Sequence, residues 1–137
     1  MSITISQAQG KVPITILALQ GDLDASNFQD VIVKAKDVYQ SGGRYILLDM
    51  SGIPFMSSSG LVALHSVAIL FQGKQPPDLE HGWEAFHSID RDREGGLQRY
   101  VKLFDPQPRV SRTLEVSGMT SFFEIHTNLQ SAIASFG

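Results

Sequence analysis

Asp49-Met50-Ser51-Gly52-Ile53-Pro54-Phe55-Met56-Ser57-Ser58-Ser59-Gly60-Leu61 links an apolar run upstream to a helical pattern downstream. Residues 45–50 are apolar apart from Asp49. Such a run predicts a strand buried on both faces, inside a sheet with helices packed against it. Residues 51–59 read as a loop. A helix is predicted from Gly60 onward, with Leu61, Leu64, Ala68 and Phe71 on one face and Val62, Val67, Ile69 and Leu70 on the others. A helix apolar nearly all round must be covered by the rest of the chain or by a partner. In open sheets with parallel strands, functional sites gather where a strand's C-terminal end hands over to a helix.

Upstream of this stretch, Ile3 and Ile5 alternate with Thr4 and Ser6, and Gly10-Lys11 reads as a turn. Val12, Ile14, Ile16 and Ala18 then share one face of a second strand, a hairpin signal. Gly21-Asp22-Leu23-Asp24 is a further turn, and Asp24 or Ser26 is positioned to cap a helix from Ala25. The steps between Phe28, Val31, Ile32, Ala35, Val38 and Tyr39 mark one helical stripe, ended by Gly42-Gly43.

Downstream, residues 73–99 break the pattern with Pro76-Pro77, a charged run at 90–94 and Gly95-Gly96. They read as an insertion, with one short helical turn near Trp83 and Phe86 that clips onto the core or anchors a partner. Residues 100–104 form a strand, and Asp105-Pro106 reads as the start of a helix. Val110, Thr113, Leu114 and Ser117 form its face, and Gly118 ends it. Residues 122–125 are the last strand. Asn128 caps a closing helix whose inner face carries Leu129, Ala132, Ile133 and Phe136. The order ββαβα(insertion)βαβα predicts an α/β fold: a mixed β-sheet packed with α-helices, its later strands parallel. Residues 1–137 then make one domain.

Composition narrows the function. The net charge of −3 weighs against a nucleic-acid partner. The absence of cysteine removes disulfides, thiolate metal sites and cysteine nucleophiles. No apolar run approaches the ~20 residues of a membrane span, and the N-terminal residues lack a signal-peptide pattern, so a cytoplasmic protein is expected. His81 and His87 are six residues apart, unlike a helical metal pair, and no metal or cofactor is implied. A hydrolase is not expected either, because Ser58 lacks the glycine two residues before it that a nucleophile elbow needs.

The three serines at 57–59 carry two readings. The simpler is capping, with a hydroxyl accepting from a backbone N–H two or three residues on. The other is a phosphorylatable serine. A phosphate adds roughly −1.5 to −2 charge and three acceptor oxygens, and a helix N-terminus accommodates it. An acidic or apolar partner docked there would be repelled.

The segment resembles the signature of the STAS domain of bacterial anti-sigma-factor antagonists. That signature is a stretch like Phe55-Met56 followed by Asp-Ser-Ser/Thr-Gly-Leu; here Ser57-Ser58-Ser59-Gly60-Leu61 follows. Gly21-Asp22-Leu23-Asp24 resembles the family's Gly-x-Leu-Asp turn. Residues 45–51 resemble its central strand, and 110–118 with 122–125 its late helix, glycine and strand. The resemblance implies a STAS-like fold, no catalysis, and a partner that is an anti-sigma factor and serine protein kinase with an ATP-binding domain. It implies phosphorylation of Ser58, with Ser57 and Ser59 as alternatives, and transcription regulation by release of a sigma factor. It also implies a partner-binding surface of Asp24, Ser26, Met56, Ser57, Ser58, Ser59, Gly60 and Leu61. Ser57 departs from the family's acidic residue, which removes a negative charge beside Ser58. The alternative is a STAS scaffold that is not phosphorylated, or a module sensing a nucleotide, a lipid or its own copies; a homodimer is left open.

Overall fold

The computed structural model describes residues 1–73 and 97–137. β1 (Ser2–Gln9) and β2 (Pro13–Gln20) form an antiparallel hairpin. β2 pairs in parallel with β3 (Ile46–Gly52), β3 with β4 (Val101–Phe104), and β4 with β5 (Ile125–His126). The sheet order is β1-β2-β3-β4-β5, the mixed sheet expected from the alternation of patterns.

β3 lies at the centre, which explains its composition. Ile46, Leu47, Leu48 and Met50 are all fully buried, each contributing about 1.5–3 kcal/mol on leaving water. One sheet face, with Leu17, Leu19, Leu48 and Met50, packs against α1 (Phe28–Gln40) and α2 (Ser58–Phe71). The edge-on contact of the Tyr39 and Phe71 rings, 5.3 Å between centroids, joins the two helices. α3 (Pro108–Val116) adds Val110 and Leu114 to the same core. The opposite face is smaller: Ile14 and Leu47 meet Ala132 and Phe136 around α4 (Leu129–Ala134). Buried Lys102 holds that layer. Its ammonium donates to Ser135 O (2.9 Å), pairs with Glu124 (3.0 Å) and lies over the Phe136 ring.

Several boundaries differ from the sequence reading. α1 begins at Phe28, not Ala25, because residues 24–27 are already committed to a tight turn. In that turn Asp24 O accepts from the Asn27 and Phe28 N–H groups. α2 begins at Ser58, not Gly60, and β3 runs on to Gly52, which shortens the loop between them. Pro108, not Pro106, opens α3, because Asp105 adopts a left-handed conformation (φ 53°) and turns the chain first. Gly118 (φ 81°) ends α3 as expected of a C-terminal glycine. The last strand is Ile125–His126. Phe122 and Phe123 precede it, after a 3-10 turn (Met119–Ser121), and are buried as core residues. Leu129 is exposed rather than on the inner face of α4, while Asn128 does cap that helix through Ser131 N–H (2.9 Å).

Residues 97–99, which the sequence reading places in the insertion, are among the described residues. Gln98 is buried and its N–H donates to Phe122 O (2.9 Å). The readings made for Trp83, Phe86, His81 and His87 lie outside the described residues. α2 is buried along almost its whole circumference, from Gly60 to Ile69 and again at Phe71. The uniformly apolar pattern therefore marks an interior helix, as the first of its two readings required.

Candidate functional site

Two loops leave the C-terminal ends of β2 and β3 and are zipped together. Gly21 N–H donates to Gly52 O (3.0 Å), Leu23 N–H to Phe55 O (3.0 Å) and Ser57 N–H to Leu23 O (2.9 Å). Leu23 and Met56 form an isolated parallel bridge. Both side chains point inward and are buried. Leu23 and Met56 thus play the same part in both loops, as apolar anchors, and in the first loop the polar residue that follows, Asp24, is brought to the rim.

Asp24 organises the first loop. Its carboxylate accepts from the Ser26 N–H (2.9 Å) and Ser26 Oγ (2.5 Å). The Ser26 hydroxyl and then its N–H hold the Asp24 carboxyl below its ordinary range. Asp24 therefore closes a side-chain turn within 24–26 instead of capping α1. Asn27, which the sequence reading passed over, does the rest: its Oδ1 accepts from Asp24 N–H (3.0 Å) and its Nδ2 donates to Asp22 O (2.8 Å). An asparagine one residue before a helical stripe was the available signal.

In the second loop Ser57 is the N-cap of α2, in extended conformation (φ −85°, ψ 177°), and Gly60 N–H donates to its carbonyl (3.0 Å). The capping hydrogen bond expected of a serine is not made. Ser57 Oγ is inaccessible and has no hydrogen-bond partner. A hydroxyl without accessible surface is a poor substrate for a kinase unless the loop moves. Ser58, the first helical residue, is exposed; Ser59 is half-buried. Of the residues expected to contact a partner, Asp24, Ser26 and Ser58 are on the surface or at its rim, and Ser57 and Ser59 are partly covered. Met56 and Gly60 are inside, and Leu61 is 8% exposed. Direct contact through Met56 and Gly60 is thereby corrected. Their role is to hold the loop: a Cβ on Gly60 would sit 2.3 Å from Met56 Cγ and 3.1 Å from Leu23 Cγ.

Ser58 opens onto a shallow groove of about 350 Å³ between α2 and α3, lined by Leu61, Arg112, Thr113, Val116 and Ser117. Val116 is the most exposed apolar side chain there, at 80%. Among the described residues the lining holds one cation, Arg112, and neither carboxylate nor imidazole. Farther along the rim, exposed Phe55 has the Arg109 guanidinium 6.0 Å from its ring centre, and Gln107 donates to Ser51 O (2.7 Å), tying α3 to the end of β3. Both arginines come from α3, far away in sequence, and only the fold brings Arg112 to the Ser58 groove and Arg109 to Phe55. Among the described residues no group of His, Asp and Glu is placed to hold a metal ion, and no helix is long and apolar enough to cross a membrane.

The family model described as the STAS domain matches residues 6–75, from β1 to just past the end of α2. Three solved structures have this fold at low sequence identity. A candidate anti-sigma factor antagonist from Thermotoga maritima aligns at a TM-score of 0.65 with 16% identity, over 96% of this chain and 91% of that one. An anti-sigma factor antagonist from Mycobacterium paratuberculosis aligns at 0.65 with 15% identity, over 98% and 93%. The Bacillus cell fate determinant SpoIIAA in its phosphorylated form aligns at 0.55 with 15% identity, over 96% of both chains. No curated protein sequence matches the chain.

Proposed function

The chain belongs to the STAS domain family, and from that premise we propose that it is an anti-sigma-factor antagonist. It acts in the cytoplasm, binds a serine-kinase-type anti-sigma factor through the joined loops at 21–26 and 53–59, and is switched off by phosphorylation of Ser58. The observation that carries this reading is the setting of Ser58. It is exposed at the first position of a 14-residue helix and faces a groove that Arg112 lines.

That setting suits a switch. The first N–H groups of a helix lack internal acceptors, and the helix end carries about half a positive charge. A phosphate on Ser58 is tolerated by its own fold, with Arg112 at hand as a further cation. A partner surface fitted to a neutral serine, Asp24 and the apolar Phe55 must instead accept roughly −1.5 to −2 of new charge. The fold relative SpoIIAA, an anti-sigma factor antagonist, is known in unphosphorylated and phosphorylated forms, which supports the same use of the fold here. We read the chain as a binder, not a catalyst, because the described residues of the groove offer Ser58 no general base.

The test is calorimetry of the unmodified chain against kinase-type anti-sigma factors from the same genome. The expected result is saturable one-to-one binding by one of them, in the micromolar range or tighter. No heat of binding and no co-elution with any such factor would remove the proposal.

A further inference from the structure

β1 is an edge strand, and the hydrogen-bond pattern fixes which of its backbone groups are unused. Thr15 N–H donates to Tyr45 O, on the β3 side. The odd residues of β2 therefore turn toward β3 and the even ones toward β1. With Ala8 opposite Ile14, Ser6 opposite Ile16 and Thr4 opposite Ala18, the even residues of β1 make the hairpin bonds. The N–H and C=O groups of Ile3, Ile5 and Gln7 point away from the sheet, with no partner among the described residues.

Edge strands are normally guarded by lysine, proline, a bulge or shortness. β1 has none of these. It is eight residues long, pairs with β2 without a register shift, and residues 2–10 contain no charged side chain and no proline. The other edge, β5, is only two residues long and offers little to pair with. The side chains of β1 are largely exposed, Ile5 at 44%.

We propose that β1 pairs antiparallel with β1 of a second copy about a two-fold axis at Ile5, joining the two sheets into one. A two-fold normal to the sheet keeps like faces together, so residues pair when their numbers sum to an even value. Centring it on Ile5 sets Ile5 against Ile5 and Ile3 against Gln7 of the other copy. All of these are positions with outward-pointing groups, and each pair exchanges two hydrogen bonds. The exposed Ile5 side chains stack on the α1 side, where Ile5 and Gln7 already line an apolar-walled cleft of about 590 Å³ beside the end of α1. A second copy is favoured over an unrelated strand by self-complementarity: the same uncharged segment meets itself without like-charge repulsion, although the whole chain carries −3. A strand pair buries less than the roughly 1,200 Å² of a standard interface, so the dimer is weak and concentration-dependent. The Ser58 loops stay uncovered, so one dimer presents two of them. This inference does not depend on the switch reading.

The experiment is sedimentation equilibrium from dilute protein to roughly 100 µM, with amide exchange followed by NMR on the same samples. The expected result is a shift toward twice the chain mass. Over the same range, exchange at Ile3, Ile5 and Gln7 should slow about tenfold or more. Ile5→Pro removes an N–H that the hairpin does not use, so it should keep the circular dichroism of the parent and abolish dimerisation. Ile5→Lys, which sets like charges opposite each other, should do the same. A single monomer mass throughout would overturn the proposal. So would a dimer in which Ile3, Ile5 and Gln7 exchange freely, or one that persists in both folded variants.

Discussion

Replacing Ser58 by aspartate is expected to weaken binding to the anti-sigma factor by about 2 kcal/mol or more, roughly thirtyfold, while leaving the domain folded. The two halves have separate causes. In the free protein the new carboxylate sits at the first helical position of α2, where a negative charge is worth about 0.3–1 kcal/mol in the favourable direction. Arg112 lines the same groove and screens it further. The melting temperature should therefore hold or rise slightly. In the proposed complex the carboxylate lies on the docking surface, and the partner must desolvate it or meet it with a cation. Ser58→Ala removes the modifiable hydroxyl without adding charge and should bind close to normally. Calorimetry of the three proteins separates these cases. Equal affinity for Ser58 and the aspartate variant would mean that the partner does not read this position.

Gly60→Val is expected to cost about 3 kcal/mol of stability, the upper end of overpacking penalties, and to lower the melting temperature by roughly 10 °C. Glycine is ordinarily a poor helix residue, and replacing it gains up to about 1 kcal/mol. Here the sign reverses. The added Cβ alone would come within 2.3 Å of Met56 Cγ and 3.1 Å of Leu23 Cγ, and both of those residues are buried. Valine brings that Cβ and two further methyl groups into the same packed corner. Since Leu23 and Met56 form the bridge that joins the two site loops, the same change should also weaken partner binding. Combining Gly60→Ala with Met56→Ala provides the check. If the clash is the cause, the double variant loses less than the sum of the singles, because each relieves the other. Strict additivity would assign the loss to something else.

Much of the fold was legible because its signals are periodic. The run at 45–50, apolar apart from Asp49, reads as a central strand, and the stripe at 28–39 as a helix packed by one face. What escaped were places where local chemistry competes with period. Serine is a poor interior helix residue, so Ser58 and Ser59 read as loop, yet both belong to the first turn of α2, where the cost is small. Two prolines stand near the start of α3, and only the left-handed Asp105 decides that the second one opens the helix. Nothing in the 100–104 strand pattern marks Lys102 as an interior residue. It is buried because Glu124, Ser135 and Phe136, all distant in sequence, meet it. The candidate site divides in the same way. Its serines and Asp24 were legible from spacing and resemblance, whereas Arg112, Arg109 and Asn27 were not, since their relevance comes from tertiary contact or from a turn that no period announces.

In the proposed switch one hydroxyl, Ser58 at the surface end of α2, is the seat of control. Incubation of the chain with ATP and its kinase-type anti-sigma factor, followed by tandem mass spectrometry of the 53–72 region, tests it most directly. The expected result is a single phosphate, on Ser58, absent from the Ser58→Ala protein. No phosphate on any of residues 57–59 by a factor that binds the chain, or a phosphate found only on another residue, would contradict it.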